Sequence, residues 1–322
     1  MFLGAMVPWN TVMLINIATP VLSVIILLFM KESPSWLLTQ GRKDDALTAL
    51  MFYREDKEDA SLELERILKN IKALEKEREA TGSSILSQLT SKMRRMREAT
   101  FWKPFLILNM MLNIGLEWAG FPALAFYMHT ILEETSIPVD EYWAAGFISL
   151  YRALVTLSLS FILVKVPRRV MYLSSGILVA TALFIQGAYA LLGSYVPEEY
   201  IYISSWIPLF SILLGYTGFG LGYGPITFIL QGEILPSDMR SFGSGLLGVL
   251  DNVFLFAAVK MVPILLYSFG TGGTFFLYGC VCLGNLTICF FCMPETKGLS
   301  LEDIEDYYRG VVPEKKTKKN SV

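Results

Sequence analysis

Seven long apolar stretches alternate with polar segments along the 322 residues: Trp9–Met30, Pro104–Leu132, Tyr142–Val164, Val170–Val196, Tyr200–Ile229, Ser241–Phe269 and Gly270–Pro294. Each exceeds the ~20 residues with which a helix crosses the hydrocarbon core of a bilayer. The polar segments between them differ in sign. Of 27 Lys and Arg, all but Arg152 and Lys260 fall in Lys31–Lys103, Lys165–Arg169, the turn at Arg240 and the tail from Lys297. The alternate loops carry Glu133, Glu134, Asp140, Glu141, Glu198 and Glu199 and no base. Short loops rich in Lys and Arg stay in the cytoplasm. The pattern therefore predicts an all-α polytopic membrane protein, amino terminus outside and carboxyl terminus in the cytoplasm.

The run 31–103 is the longest polar segment. Ser33-Pro34 predicts a helix start, Ser as cap and Pro in the first turn. Leu64, Ile67, Leu68, Ile71 and Leu74 recur at three and four residues, which predicts a helix near Asp59–Ala80 with one apolar stripe. The stripe favours a small helical domain resting on the membrane domain over a solvated linker. Ser300-Leu301-Glu302-Asp303 resembles a capping box and predicts a short helix toward Tyr308, with Lys315–Lys319 as a frayed basic end. Four parts are expected: a helix in 1–30, a cytoplasmic helical linker over 31–103, a six-helix transmembrane domain over 104–294 and a cytoplasmic tail over 295–322.

At 53% hydrophobic and 17% charged residues, the chain is too apolar for an ordinary soluble domain. The net charge of −2 hides the asymmetry between loops, and the basic residues mark topology rather than a nucleic-acid surface. A cleaved signal peptide is not expected, because the first 30 residues hold a full-length span and no basic leader. Cys280, Cys282, Cys289 and Cys292 all fall in the last stretch, where they are read as small apolar packing residues rather than metal ligands. The sequon Asn285-Leu286-Thr287 lies in the same stretch, out of reach of glycosylation. One His and no paired nucleophile and base argue against an enzyme, and no cofactor or metal is expected.

Two glycine patterns invite misreading. Gly243-Ser244-Gly245-Leu246-Leu247-Gly248 spells a dinucleotide fingerprint but has no strand before it. Gly215, Gly218, Gly220, Gly222 and Gly224 are read as surfaces for close helix contact, and Gly224-Pro225 as a place where the helix bends.

Glu117, Arg152, Asp251 and Lys260 lie inside apolar stretches. Each costs about 2.5–3.5 kcal/mol near a helix centre on insertion scales. Glu117, Arg152 and Asp251 fall near the midplane; Lys260 is close enough to the outer face to snorkel. Midplane polar groups are where transporters hold solute. The alternative is a Glu117–Arg152 ion pair that closes the bundle and touches no ligand.

From the carboxyl end the motifs become specific. Pro294-Glu295-Thr296-Lys297-Gly298 resembles the PETKG signature of the sugar-porter family of the major facilitator superfamily. Gly222-Tyr223-Gly224-Pro225-Ile226, then Glu233 and Arg240, resembles that family's GxGPI…E…R segment. Glu32-Ser33-Pro34-Ser35-Trp36-Leu37-Leu38 resembles PESPRWL after its sixth helix. The pattern is similar to the glucose- and trehalose-transporter-like members. The match runs from family helix six to helix twelve, so the resemblance implies the carboxyl-terminal six-helix half plus one preceding helix. It also implies that the chain is a truncated form or a piece of a longer carrier, lacking the amino-terminal half that alternating access requires.

What the resemblance implies for a site is mixed. The family's helix-seven glutamines and asparagine map to Leu116, Glu117 and Pro122 ahead of Phe126-Tyr127, its helix-eight asparagine to Arg152, its helix-ten tryptophan to Phe228 and its helix-eleven asparagine to Asp251 beside Asn252. Charge or hydrocarbon has replaced neutral amides. Glu117, Tyr127, Arg152, Phe228, Asp251 and Asn252 are the substrate-binding candidates, Gly224 and Pro225 the hinge. Glu32, Arg168, Arg169, Glu233, Arg240 and Glu295 are the gating candidates, although Ser35, Lys165 and Pro167 depart from the family's gate motifs. A facilitative carrier of a small polar solute, a sugar, in the plasma membrane is expected. A non-transporting sensor or scaffold and a carrier of a different or charged solute are the alternatives; a seven-helix receptor is disfavoured by the long insert and the PETKG end.

Overall fold

The computed structural model describes residues 7–53, 60–69, 71–72, 85–134, 139–163, 166–195, 197–200, 204–236, 238–299 and 301–309. Among these the chain is helical, with no strand, and it divides into two compact units, Met6–Met96 and the remainder from Arg97.

The first unit opens with α1 (Trp9–Phe29), whose side chains are all unburied. The helix is apolar on every face and long enough to cross a bilayer, which marks a membrane span rather than an amphipathic surface helix. After it come α2 (Pro34–Thr39), α3 (Lys43–Tyr53), helical residues 60–69 and 71–72, and α4 (Ile85–Arg95). Pro34 begins α2 as expected, but the Ser33 hydroxyl makes no capping bond. The start therefore rests on proline's fixed φ. Gly41, at φ 76, ends α2, and Arg42 N–H closes on the Leu37 carbonyl at 2.9 Å, a left-handed stop that a side chain would strain. Leu37, Leu38, Ala46 and Ala49 form a buried cluster against which Leu64, Ile67, Leu68 and Ile71 pack. The apolar stripe has thus found its partner in the α2–α3 hairpin; Leu74 and the rest of the expected helix lie outside the described residues.

In the second unit, the stretch expected as one span over Pro104–Leu132 is broken into pieces. It comprises α5 (Ala99–Asn109), a π-helical run π1 (Met110–Glu117), α6 (Phe121–Phe126) and α7 (Met128–Glu134). Gly120 takes φ 87 and Pro122 enters the first turn of α6, so the helix cannot continue past Glu117. Then come α8 (Glu141–Leu163), α9 (Arg168–Leu192), α10 (Ile207–Gly218), a second π-helical run π2 (Phe219–Tyr223), α11 (Pro225–Glu233), α12 (Arg240–Cys292) and α13 (Leu301–Arg309). Gly270, with φ 67 and ψ 174, leaves the helical region and divides α12 in two, at the boundary expected between the last two apolar stretches. Among the described residues Trp9–Phe29, Arg168–Leu192, Ile207–Ile234 and Arg240–Cys292 are long and apolar enough to cross a membrane.

α9 packs against both α10 and α12. The glycines of α10 and π2 explain the close approach. A Cβ at Gly218 would lie 2.8 Å from the Ser175 carbonyl oxygen, and one at Gly222 would lie 2.7 Å from Met171 Cγ. Helices in lipid associate through such close packing rather than through release of water from apolar surface. The dinucleotide-like glycines simply lie within α12.

Gly224 does not break its helix. Its φ and ψ of −79 and −63 are right-handed helical, and its N–H reaches the Phe219 carbonyl at 3.0 Å. The expected bend is therefore a widened π turn. At the carboxyl end, Ile304 and Tyr308 of α13 are buried and the helix packs against α5. Burial pushes the Tyr308 phenol well above its ordinary value. Ser300 and Lys315–Lys319 lie outside the described residues.

Candidate functional site

At the end of the bundle where α9 begins, three carboxyl-terminal segments converge on its first turn. An α-helix leaves its first N–H groups without partners inside the helix. Here the Glu295 carboxylate accepts two of them, from Arg168 N at 3.0 Å and Arg169 N at 3.1 Å. Its negative charge also complements the positive end of the helix dipole. Lys297 N donates to the same carboxylate at 3.0 Å. Glu233, at the end of α11, pairs with the Arg168 guanidinium at 3.3 Å and accepts the Thr296 hydroxyl at 2.6 Å. The Arg169 guanidinium donates to the Phe290 carbonyl and lies over the Phe290 ring at 5.4 Å.

Four of the six gating candidates, Arg168, Arg169, Glu233 and Glu295, are thus brought together. Arg240 is not joined to Glu233, the acid of the same E…R segment. It donates to the Leu235 carbonyl at 3.2 Å. Glu32 is exposed and belongs to the first unit.

The substrate-binding candidates do not form one cluster. Glu117 ends π1 and has Asp251 of α12 as its charged neighbour. Glu117 Oε2 and Asp251 Oδ1 are each buried with no hydrogen-bond partner. Tyr127 donates to the Val259 carbonyl of α12 at a long 3.5 Å. Asn252 spends one amide hydrogen on Gly248 in its own helix at 2.7 Å. Arg152 sits apart on α8, its guanidinium 5.5 Å from the Tyr216 ring and 5.9 Å from Phe219. Phe228 of α11 is 57% exposed. The Glu117–Arg152 ion pair is absent: π1 packs on α12, whereas α8 packs on π2 and α10, so acid and base face different neighbours.

A buried polar knot was missed by the sequence reading. The Asn285 Oδ1 accepts Tyr172 OH at 2.7 Å and Tyr223 OH at 3.4 Å, while its amide nitrogen donates to the Met110 carbonyl at 2.9 Å. The two tyrosine rings stack with centroids 4.9 Å apart, and Cys282 and Cys289 approach the same oxygens at 3.6 and 3.8 Å. One side chain of α12 therefore ties α9, π2 and the first residue of π1. The donation to Met110 falls where the helix widens, as expected when a side chain bonds into the main-chain ladder. The only signal available in the sequence was an amide inside an apolar stretch.

Comparison with known proteins places this geometry in context. A family model described as sugar (and other) transporter matches residues 3–308. The facilitated trehalose transporter Tret1 of Culex quinquefasciatus is 28% identical over 303 residues, spanning 94% of this chain and 56% of that protein. The Tret1 of Apis mellifera ligustica is 28% identical over 310 residues, spanning 96% and 59%. Among solved structures, the major facilitator superfamily proton:xylose symporter XylE bound to 6-bromo-6-deoxy-D-glucose superposes with a TM-score of 0.65 at 18% identity. That match covers 89% of this chain and 56% of XylE, and shows the fold. The chain spans little more than half the length of these relatives.

Proposed function

Since this chain belongs to the sugar (and other) transporter family, we propose that it forms the carboxyl-terminal part of a facilitative carrier for a hexose- or trehalose-like sugar. Solute would cross by alternating access in the plasma membrane, with the amino terminus of this chain outside and the carboxyl terminus in the cytoplasm. The parts 31–103 and 295–322 would face the cytoplasm, and 104–294 would pack against an amino-terminal six-helix half in the lipid bilayer. No nucleic acid has a role. The observation that carries the reading is the lattice in which Glu295 and Glu233 hold the first turn of α9. The Arg168–Glu233 pair keeps partial access to water, so a tilting helix can exchange these bonds for hydration and remake them, as a gate must.

Proteoliposomes test the proposal. The chain co-assembled with the amino-terminal half of a Tret1 relative is expected to take up labelled trehalose or glucose, and the chain alone is expected to take up neither. Uptake of no sugar by the assembled protein would end the reading. In that assembly, Arg168→Glu and Glu233→Arg should each lower uptake, and the double reversal should restore it, with a coupling of about 1 kcal/mol. Lack of rescue would mean that the two residues act separately.

A second reading, a solute bearing positive charge, is favoured by the unpartnered oxygens of Glu117 and Asp251. Buried carboxylates seek a donor. Glu117→Gln with Asp251→Asn should then abolish uptake of an amine-bearing sugar by at least about tenfold while sparing a neutral one. Equal losses for both solutes would remove this reading.

A further inference from the structure

The interior of the second unit holds a polar group that the lattice and the solute candidates do not use. Gln186 of α9 and Ser211 of α10 are both 2% exposed. They meet directly at the wall of an otherwise apolar pocket lined also by Ala119, Leu124, Val179 and Phe275. The Ser211 hydroxyl lies within hydrogen-bond distance of Gln186 Oε1 and 2.8 Å from the Pro208 carbonyl. A hydroxyl has one proton to give. The Pro208 carbonyl can only accept, so if Ser211 donates there, its oxygen is left to receive an N–H from Gln186. The amide is then turned over, which its near-symmetric shape allows, and its oxygen looks into the pocket. If Ser211 instead donates to the amide oxygen, Gln186 Nε2 is the atom without a partner. Either way one polar atom of a nearly fully buried amide is unsatisfied by protein.

We propose that the pocket is a binding site for a single water molecule, held by the Gln186 amide and the Ser211 hydroxyl where α6, α9, α10 and α12 meet. Water alone among common occupants serves both orientations, since it can donate to the amide oxygen or accept from the amide nitrogen. The pocket offers room for about one such molecule, and internal waters occupy polar sites of this size while wholly apolar ones stay dry. The water would act as a joint. It would satisfy the spare atom of the amide that already ties α9 to α10 through Ser211, beside the break that starts α6, and a bound water can reorient as the two helices shift.

The test is a high-resolution map of the full chain in lipid, as wild type and as Gln186→Met, a substitution close in shape that carries no hydrogen-bonding amide. The wild type should show a solvent peak within hydrogen-bond distance of the Gln186 amide, and Gln186→Met should lose it. Its thermal midpoint should stay within a few degrees of the wild type, because donor and ligand vanish together. Absence of the peak in a wild-type map that shows other internal waters would overturn the proposal. A peak persisting unchanged in Gln186→Met would overturn it too, by showing that other groups hold the water. Uptake is not the readout, so failure of the transport proposal would leave this result intact.

Discussion

Replacing Asn285 by Leu is expected to destabilise the bundle by about 2–4 kcal/mol. The variant strands Tyr172 OH, Tyr223 OH and the second bond of the Met110 carbonyl in an interior that water does not reach. Leaving a buried donor without a partner costs about 1–3 kcal/mol in proteins generally. Interhelical bonds in membranes average nearer 0.6 kcal/mol, because the separated helices also find partners. Three interactions at the low figure give about 2 kcal/mol, and the strong 2.7 Å bond and the misshapen pocket raise it. Unfolding in graded denaturing detergent measures the change. Thr287→Val is the control: that hydroxyl is exposed and bonds only to Leu283 in its own helix, so it should shift stability by less than about 0.5 kcal/mol. Equal effects at the two positions would mean that the knot contributes nothing.

The second large effect is expected at Gly218. A Cβ there meets the Ser175 carbonyl oxygen at 2.8 Å and the Val179 nitrogen at 3.0 Å. Both are main-chain atoms of α9, which cannot rotate aside as a side chain can. Gly218→Val must therefore push α9 and α10 apart along their crossing, costing about 3 kcal/mol or more, the upper part of the range for overpacking. Gly248→Ala makes the contrast. Nothing lies within 4 Å of a Cβ at Gly248, and alanine favours helix by about 0.5–1 kcal/mol over glycine. The same detergent titration should show Gly218→Val unfolding early and Gly248→Ala unchanged or later. Two equally unstable variants would place the strain elsewhere.

Much of the fold was legible because lipid imposes simple rules on sequence. Apolar length marked the helices, and Gly270 marked the reversal within α12. The stripe from Leu64 to Ile71 announced an amphipathic helix needing a partner. The π-helical run was not legible. The Asn285 amide that bonds to the Met110 carbonyl, where π1 begins, lies 175 residues away, and no local pattern records so distant a bond. The run bears on Glu117 too, for which an ion pair with Arg152 was the alternative to solute contact. An α-helix turns ~100° per residue, but a π run closes its hydrogen bonds one residue later, so the last residue of π1 points elsewhere than an α-helical projection predicts. Glu117 has Asp251 as its charged neighbour and not Arg152, since π1 packs on α12 and α8 on π2 and α10. Four of the six gating candidates come together, whereas Arg240 meets the Leu235 carbonyl of its own turn, a contact that no motif records.

The hold that Glu295 exerts on α9 is a grip on main chain. Every residue except proline offers a main-chain amide hydrogen, so drift among other side chains leaves this clasp its donors. Pro167 occupies the place just before the helix at no cost to it, because the two donors come from the following residues. The clasp is undone by losing the acid, or by Arg168→Pro or Arg169→Pro, either of which removes a donating N–H; other changes of side chain there leave both N–H groups in place.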